Sequence, residues 1–204
     1  MIYLSRLKIN PRSRQVQAEL RDPYQMHRTL SRVFGDDKDE YAQARCLFRV
    51  DEVPGASGLC LLVQSRLRPD WGRLTVAERY LAASPDEKAF EPEFRAGQTL
   101  AFRLRANPTV KRDGKRLGLY RDEERLMWLA RKGEAHGFRP GQVAVRKEET
   151  VRFRPSDGQE TTLNAVRFDG VLCVTDPNQL VAALTDGIGS GKAFGFGLLS
   201  LARA

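Results

Sequence analysis

Tyr24 and His27 stand three residues apart in the stretch Asp22-Pro23-Tyr24-Gln25-Met26-His27-Arg28-Thr29-Leu30. Both side chains are of types that move or orient protons, and histidine changes charge near neutral pH. On a helix, positions three and four apart are neighbours, so Tyr24, His27 and Arg28 share a face. Asp22 followed by Pro23 reads as an N-cap with proline at the first helical position, which predicts that a helix starts here. The imidazole then lies in the opening turns, where unpaired backbone N–H groups and the helix dipole favour anions. The plain alternative is a histidine packed or solvated on a helix face.

The elements that must position this pair follow from hydrophobic periodicity. Residues 1–10 alternate as a strand that ends at Asn10-Pro11. The helix from Pro23 carries Met26, Leu30, Val33 and Phe34 as its apolar stripe, and Gly35 with the acidic run Asp36–Glu40 reads as a solvated loop. Strands are predicted at about 45–51 and 58–66, joined through Pro54-Gly55, then a weaker helical or irregular stretch over 73–82. Residues 98–105 alternate as a strand and stop at Asn107-Pro108. The order is βαββαβ, the ferredoxin-like arrangement. The second half repeats it: a short strand at 116–119, a helix over 121–133, and strands at 142–153 and 160–168 joined by Pro155-Ser156-Asp157-Gly158, with another reversal at Phe168-Asp169-Gly170-Val171 that extends the sheet to about 175. A helix opening at Asp176-Pro177 and a final strand at 196–201 complete the half. The predicted fold is α+β, with two tandem ferredoxin-like (RRM-like) domains at 1–108 and 109–204.

Charge points to the class of partner. The chain of 204 residues has a formal net charge of +8, which suits a polyanion. The first 33 residues carry Arg6, Lys8, Arg12, Arg14, Arg21, Arg28 and Arg32 against Glu19 and Asp22 only. Further clusters are Arg103, Arg105, Lys111, Arg112, Lys115 and Arg116, then Arg146, Lys147, Arg152 and Arg154. Arginine predominates, and its planar fork suits bidentate phosphate contacts and stacking on bases. Cys46, Cys60 and Cys173 lie in separate apolar runs and read as buried free thiols, and no spacing suggests a zinc site. Neither a metal nor a cofactor is expected. No apolar run is long enough to span a membrane and the N-terminus lacks an export signal, so a cytoplasmic protein without membrane partners is expected.

Near the C-terminus lies Gly187-Ile188-Gly189-Ser190-Gly191-Lys192-Ala193-Phe194-Gly195-Phe196-Gly197. A P-loop would need glycine at the position of Asp186 and Ser or Thr at that of Ala193, so that reading fails. A dinucleotide fingerprint must follow a strand and open a helix, and this loop does the reverse. What remains is a flexible linker, or a loop in which Gly189 and Gly191 let backbone N–H groups, together with Lys192, approach phosphates or the other domain closely.

Three stretches together resemble the CasE family of CRISPR-associated endoribonucleases. Asp22–Leu30 is similar to the family's active-site helix, Phe102-Arg103-Leu104-Arg105-Ala106-Asn107-Pro108 to the strand that closes its first domain, and Gly187–Ser200 to its glycine-rich loop. The resemblance implies a metal-independent nuclease of the repeat-associated mysterious protein superfamily. Such a nuclease binds the hairpin of the CRISPR repeat, cuts precursor RNA at the 3′ base of the stem, and stays on the guide RNA with the other Cascade subunits. By the same resemblance Tyr24 and His27 match the catalytic pair. Arg152 and Arg154, before the Pro155–Gly158 turn, match the basic hairpin that meets the RNA stem. Lys111-Arg112-Asp113-Gly114-Lys115-Arg116 aligns less clearly.

The chemistry that fits is transphosphorylation by the RNA's own 2′-OH, with His27 as general acid or base and Tyr24 orienting or donating to the reacting oxygens. Arg28 or Arg32 would offset charge on the phosphorane-like transition state. The products would carry 2′,3′-cyclic phosphate and 5′-OH ends. Two rivals stand beside this reading: a non-catalytic RNA-binding subunit of the same architecture, and a generic RNA-recognition module, whose aromatic sheet signature is missing. His136 reads as a helix cap, and Trp71 and Trp128 read as packing residues.

Overall fold

The computed structural model describes residues 1–53, 58–75, 79–155 and 158–204. The chain divides into two compact units. The first comprises Met1–Pro92 with Phe153–Gln159 and Ala193–Gly195; the second comprises Glu93–Arg152, Glu160–Lys192 and Phe196–Ala204.

In the first unit, β1 (Ile2–Ile9) leads to α1 (Arg14–Arg21), α2 (Pro23–Arg32) and α3 (Lys38–Ala44). Then follow β2 (Leu47–Glu52), β3 (Leu59–Ser65), the short α4 (Gly72–Thr75) and β4 (Asp86–Phe90). The sheet order is β2-β3-β1-β4, antiparallel throughout. This is the ferredoxin-like order. Leu7, Ile9, Leu61 and Val63 from the sheet, Val16 from α1, and Met26 and Leu30 from α2 form one buried core. Trp71 is buried there too, its indole N–H donating to Ser5 Oγ at 3.1 Å, so it is the packing residue expected.

A polar knot inside this unit fixes α2. The Glu19 carboxylate on α1, only 3% exposed, accepts from Thr29 Oγ1 on α2 and from Tyr80 Oη, both at 2.6 Å, and from Gln15 Nε2 at 2.9 Å. Burial, then the charge of Glu19, pushes the Tyr80 phenol up, so it stays a donor. Removing the acceptor strands two buried hydroxyls. Glu19→Ala is therefore expected to cost about 3 kcal/mol in urea denaturation, and Glu19→Gln, which keeps an acceptor, clearly less.

The second unit begins with β5 (Thr99–Ala106). It continues through the hairpin β6 (Thr109–Arg112) and β7 (Lys115–Gly118), α5 (Asp122–Ala135), β8 (Phe138–Lys147), β9 (Val151–Phe153), whose last residue is counted with the first unit, and β10 (Thr161–Leu163). It closes with β11 (Val166–Val174), α6 (Pro177–Asp186) and β12 (Leu199–Arg203). Its main sheet runs β12-β5-β11-β8, again the ferredoxin-like order and antiparallel. Leu100, Phe102, Leu104, Phe168 and Leu172 are buried on the inward side, with Trp128 and Leu129 of α5 and Leu180 and Leu184 of α6. Trp128 stacks on Phe168 with centroids 6.1 Å apart.

The fold class is as expected, but several elements are not. The strand expected to close the first domain, β5, is the first strand of the second sheet, paired with β11 and β12. The break between the units therefore falls near 92, not 108. The physical reason is β4: Asp86-Glu87-Lys88-Ala89-Phe90 pairs with β1 and supplies the fourth strand of the first sheet. Residues 116–119, expected to open the second domain, form a separate two-stranded ribbon. The strand expected over 142–153 is two strands, as is that over 160–168, and β9 pairs with β10 apart from the main sheet. The reversal expected at Phe168-Asp169-Gly170-Val171 is instead the middle of the continuous β11, which pairs with β5 through these residues and has only an irregularity in its register with β8 after Gly170. The acidic run expected as a loop is capped as a helix: the Asp37 side chain accepts from the Asp39 N–H at 3.0 Å. Helix α1 was not anticipated. Pro54-Gly55, and Ser156-Asp157 of the second expected turn, lie outside the described residues.

Candidate active site

Helix α2 starts where the sequence places it. Asp22 Oδ1 accepts the Tyr24 N–H at 3.0 Å and Pro23 occupies the first helical turn. Asp22 also ends α1 in an extended conformation, so the two helices meet at this residue. Met26 and Leu30 anchor α2 in the core, and Tyr24 and His27, both half-buried, sit at the edge of that face.

The Tyr24 and His27 rings stack, with centroids 6.2 Å apart and planes at 28°. Tyr41 on α3 meets the imidazole edge-on at 5.1 Å, and its hydroxyl lies 3.0 Å from His27 Nδ1. Phe194 stands 6.1 Å from the imidazole and 4.3 Å from Phe153. Burial holds the His27 pKa below its ordinary 6.5, so the ring is uncharged at neutral pH. Sequence reasoning missed Tyr41. Its signal was available in Asp37, Asp39 and Glu40, a cap and acidic first turn that favour a helix over 38–44.

The remaining predicted residues divide by unit. Arg12, Arg14, Arg28 and Arg32 belong to the first unit and are exposed, Arg28 reaching Gln25 Oε1 at 3.5 Å. Arg154 also falls in the first unit, whereas Arg152 falls in the second; both are exposed. Lys111, Arg112, Lys115 and Arg116 lie in the second unit along the β6–β7 hairpin, whose turn residues Asp113 and Gly114 have φ of 49° and 76°. Two successive positive φ values make the primed turn that a two-residue hairpin needs. Lys111 faces Arg116 and Arg112 faces Lys115 across the ribbon. Like charges directly opposite destabilise a ribbon, so an anionic partner would stabilise it.

The glycine-rich loop is part of the second unit through Lys192. Gly189 and Gly191 have φ of 89° and 79°, and Lys192 begins a 3-10 turn, Lys192–Phe194. A Cβ at Gly191 would come within 3.1 Å of the Leu163 side chain, so a larger residue there would crowd it as well as strain the backbone. Asn107, 4% exposed, ties the loop down: its Nδ2 donates to Ser190 Oγ at 3.3 Å and its Oδ1 accepts the Asn164 N–H at 3.0 Å. That role of Asn107 is legible only in three dimensions. His136 caps the C-terminus of α5, as expected, and Trp128 is buried. Cys46, Cys60 and Cys173 are free thiols; Cys46 is buried and the other two are half-buried. Among the described residues, no group of three or more His, Cys, Asp or Glu is arranged to hold a metal ion, and no helix is long and apolar enough to cross a membrane.

Residues 2–203 match the family model described as CRISPR associated protein. The chain is 38% identical over 214 residues to the CRISPR-associated endoribonuclease Cse3 of Thermus thermophilus, covering 98% of this chain and 100% of that one. It is 32% identical over 219 residues to the Cascade subunit CasE of Escherichia coli, covering 98% and 99%. Among solved structures, CRISPR endoribonuclease Cse3 bound to a 19-nucleotide RNA superposes with a TM-score of 0.87 at 37% identity, covering 98% of this chain and 100% of that one. Agreement along the whole chain, in sequence and in fold, makes this protein a member of the CasE (Cse3) family of CRISPR-associated proteins.

Proposed function

We propose that this protein is an endoribonuclease that binds the stem-loop of the CRISPR repeat, cuts precursor RNA at the 3′ base of the stem, and remains on the guide RNA with the other Cascade subunits. Of the relatives it matches end to end, Cse3 is a CRISPR-associated endoribonuclease with a structure bound to a 19-nucleotide RNA, and CasE is a Cascade subunit. The cytoplasm is the compartment this role requires.

One observation carries the assignment of chemistry: an uncharged, half-buried imidazole on α2 stacked beside Tyr24 and next to the exposed Arg28. RNA brings its own nucleophile, the 2′-OH beside each phosphate. His27 acts as general acid or base on that hydroxyl or on the departing 5′ oxygen, and Tyr24 orients or donates to the reacting oxygens. Arg28 and Arg32 offset the charge that builds on the phosphorane-like transition state. None of these steps calls for a metal. Incubating the protein with repeat hairpin RNA in excess chelator tests this directly. A single cut with 2′,3′-cyclic phosphate and 5′-OH ends is expected; 3′-OH and 5′-phosphate ends, or cleavage restored only by divalent metal, would overturn it.

Arg12, Arg14, Arg152, Arg154, Lys192 and the loop glycines Gly189 and Gly191 are proposed as RNA contacts, as are the four cations of the β6–β7 hairpin. The hairpin makes a separable prediction. Replacing Lys111, Arg112, Lys115 and Arg116 together with alanine removes sequence-independent phosphate contacts. It is expected to flatten the slope of log affinity against log salt by about 2 to 3, read by filter binding between low and moderate salt. An unchanged slope would remove the hairpin from the interface.

A further inference from the structure

We infer that Tyr41, on α3, is a positioning residue for His27: its hydroxyl holds Nδ1 of the imidazole and leaves Nε2 as the nitrogen offered to the ribose–phosphate. The inference rests on the reading of His27 as the proton carrier. Geometry carries it. The hydroxyl lies 3.0 Å from Nδ1, and the two rings meet at 76° with centroids 5.1 Å apart. The hydrogen bond restrains rotation of the imidazole in its plane, and the edge contact together with the Tyr24 stack restrains its tilt. Phe34, 6.1 Å away, backs the Tyr41 ring.

Tyr41 is itself held. Its hydroxyl interacts with the buried thiol of Cys46. A hydroxyl both donates and accepts: it donates to Nδ1 when the imidazole carries its proton on Nε2, and accepts from Nδ1 when that nitrogen carries a proton, as it does in the imidazolium. The hydrogen bond survives either way, so the ring need not swing as its charge changes. Burial pushes both the phenol and the thiol up, so both stay protonated at neutral pH and neither competes as an anion for the histidine proton. Among the described residues, the titratable groups in contact with the imidazole are Tyr24 from its own helix and Tyr41 from α3; the ring of Phe194 is apolar, and Arg28 is exposed to solvent.

Tyr41→Phe keeps the ring and its edge contact and deletes only the hydroxyl. Single-turnover cleavage of repeat hairpin RNA is expected to slow about tenfold, part of what acid–base catalysis supplies, with RNA affinity within about twofold of wild type. The imidazolium loses the acceptor for its Nδ1 proton, so the histidine limb of the pH–rate profile should move to lower pH. A purely structural role would lower the melting temperature and leave that limb in place. With only His27 and His136 in the chain, nitrogen-15 spectra of labelled histidine give a second readout, assigned with His27→Ala. The His27 signals should show one dominant hydrogen-bonded tautomer in the wild type and should move in Tyr41→Phe. Wild-type rate and pH profile in Tyr41→Phe overturn the inference. So does a wild-type His27 that titrates at the ordinary value with averaged tautomers, a result that needs no folded variant. Full activity in His27→Ala would instead overturn the underlying reading of His27, while the spectra still decide whether Tyr41 holds the ring.

Discussion

Replacing His27 with alanine is expected to slow cleavage of repeat hairpin RNA about 10³-fold while leaving its affinity within about twofold. The size follows from what a positioned acid or base contributes, about 10²–10⁴. The separation of rate from binding follows from where charge lies: the imidazole is uncharged at neutral pH, whereas the proposed phosphate contacts are exposed arginines and lysines that the substitution leaves intact. Single-turnover cleavage beside filter binding measures both. A variant that cuts at the wild-type rate would remove His27 from the chemistry. The same burial predicts the pH dependence. With its folded pKa below 6.5, a histidine working as base gains activity as pH rises through that lowered value and levels off toward neutrality; working as acid, it loses activity over the same range. Stability moves in a fixed direction. Below 6.5 the unfolded chain binds a proton at His27 that the folded chain resists, so this site destabilises the fold as pH falls below 6.5.

The helix that carries Tyr24 and His27 was legible because its signals are local. Asp22 and Pro23 fix a start by capping geometry within three residues, and Met26 and Leu30 declare the buried face by spacing alone. The ferredoxin-like order was legible because strongly alternating strands dominate both sheets. What failed was the assignment of β5 to a sheet. Its alternation says that it is a strand with one buried face, and both sheets satisfy that equally; only pairing with β11 and β12 decides. β4 was invisible for the opposite reason. Asp86, Glu87 and Lys88 show no apolar face, because an edge strand held by backbone hydrogen bonds to β1 needs none.

The candidate site divides along the same line. Tyr24 and His27 are one helical turn apart, so their meeting is a property of local sequence. Tyr41 comes from another helix, fourteen residues further on, and its approach depends on how α3 packs back toward α2. Reading Asp37–Glu40 as a solvated run missed that acidic residues at a helix N-terminus are stabilising. The glycine-rich loop was legible as a loop, but its anchor was not. Asn107 looks like a strand terminator in sequence and is a buried clamp across Ser190 and Asn164 in the structure.

A single deoxyribose at the nucleotide preceding the cut is expected to abolish cleavage while leaving binding within about threefold. The argument is one of atoms. In the proposed reaction the 2′ oxygen attacks its own phosphate, the bond to the 5′ oxygen breaks, and a proton passes from the 2′-OH to the leaving group, with His27 handling at least one of the transfers. Without the 2′ oxygen there is no nucleophile, and no placement of imidazole, phenol or guanidinium supplies one. Binding survives because proposed phosphate contacts and stem shape do not depend on one hydroxyl. The comparison uses all-ribose and singly substituted hairpins at saturating protein, with uncleaved RNA quantified over a time that consumes the ribose substrate completely. Cleavage of the substituted RNA at the same bond would mean that water, not the RNA, attacks the phosphorus. His27 would then have to activate that water from the same seat beside Tyr24 and Tyr41, and the products would end in an ordinary phosphate with no cyclic intermediate.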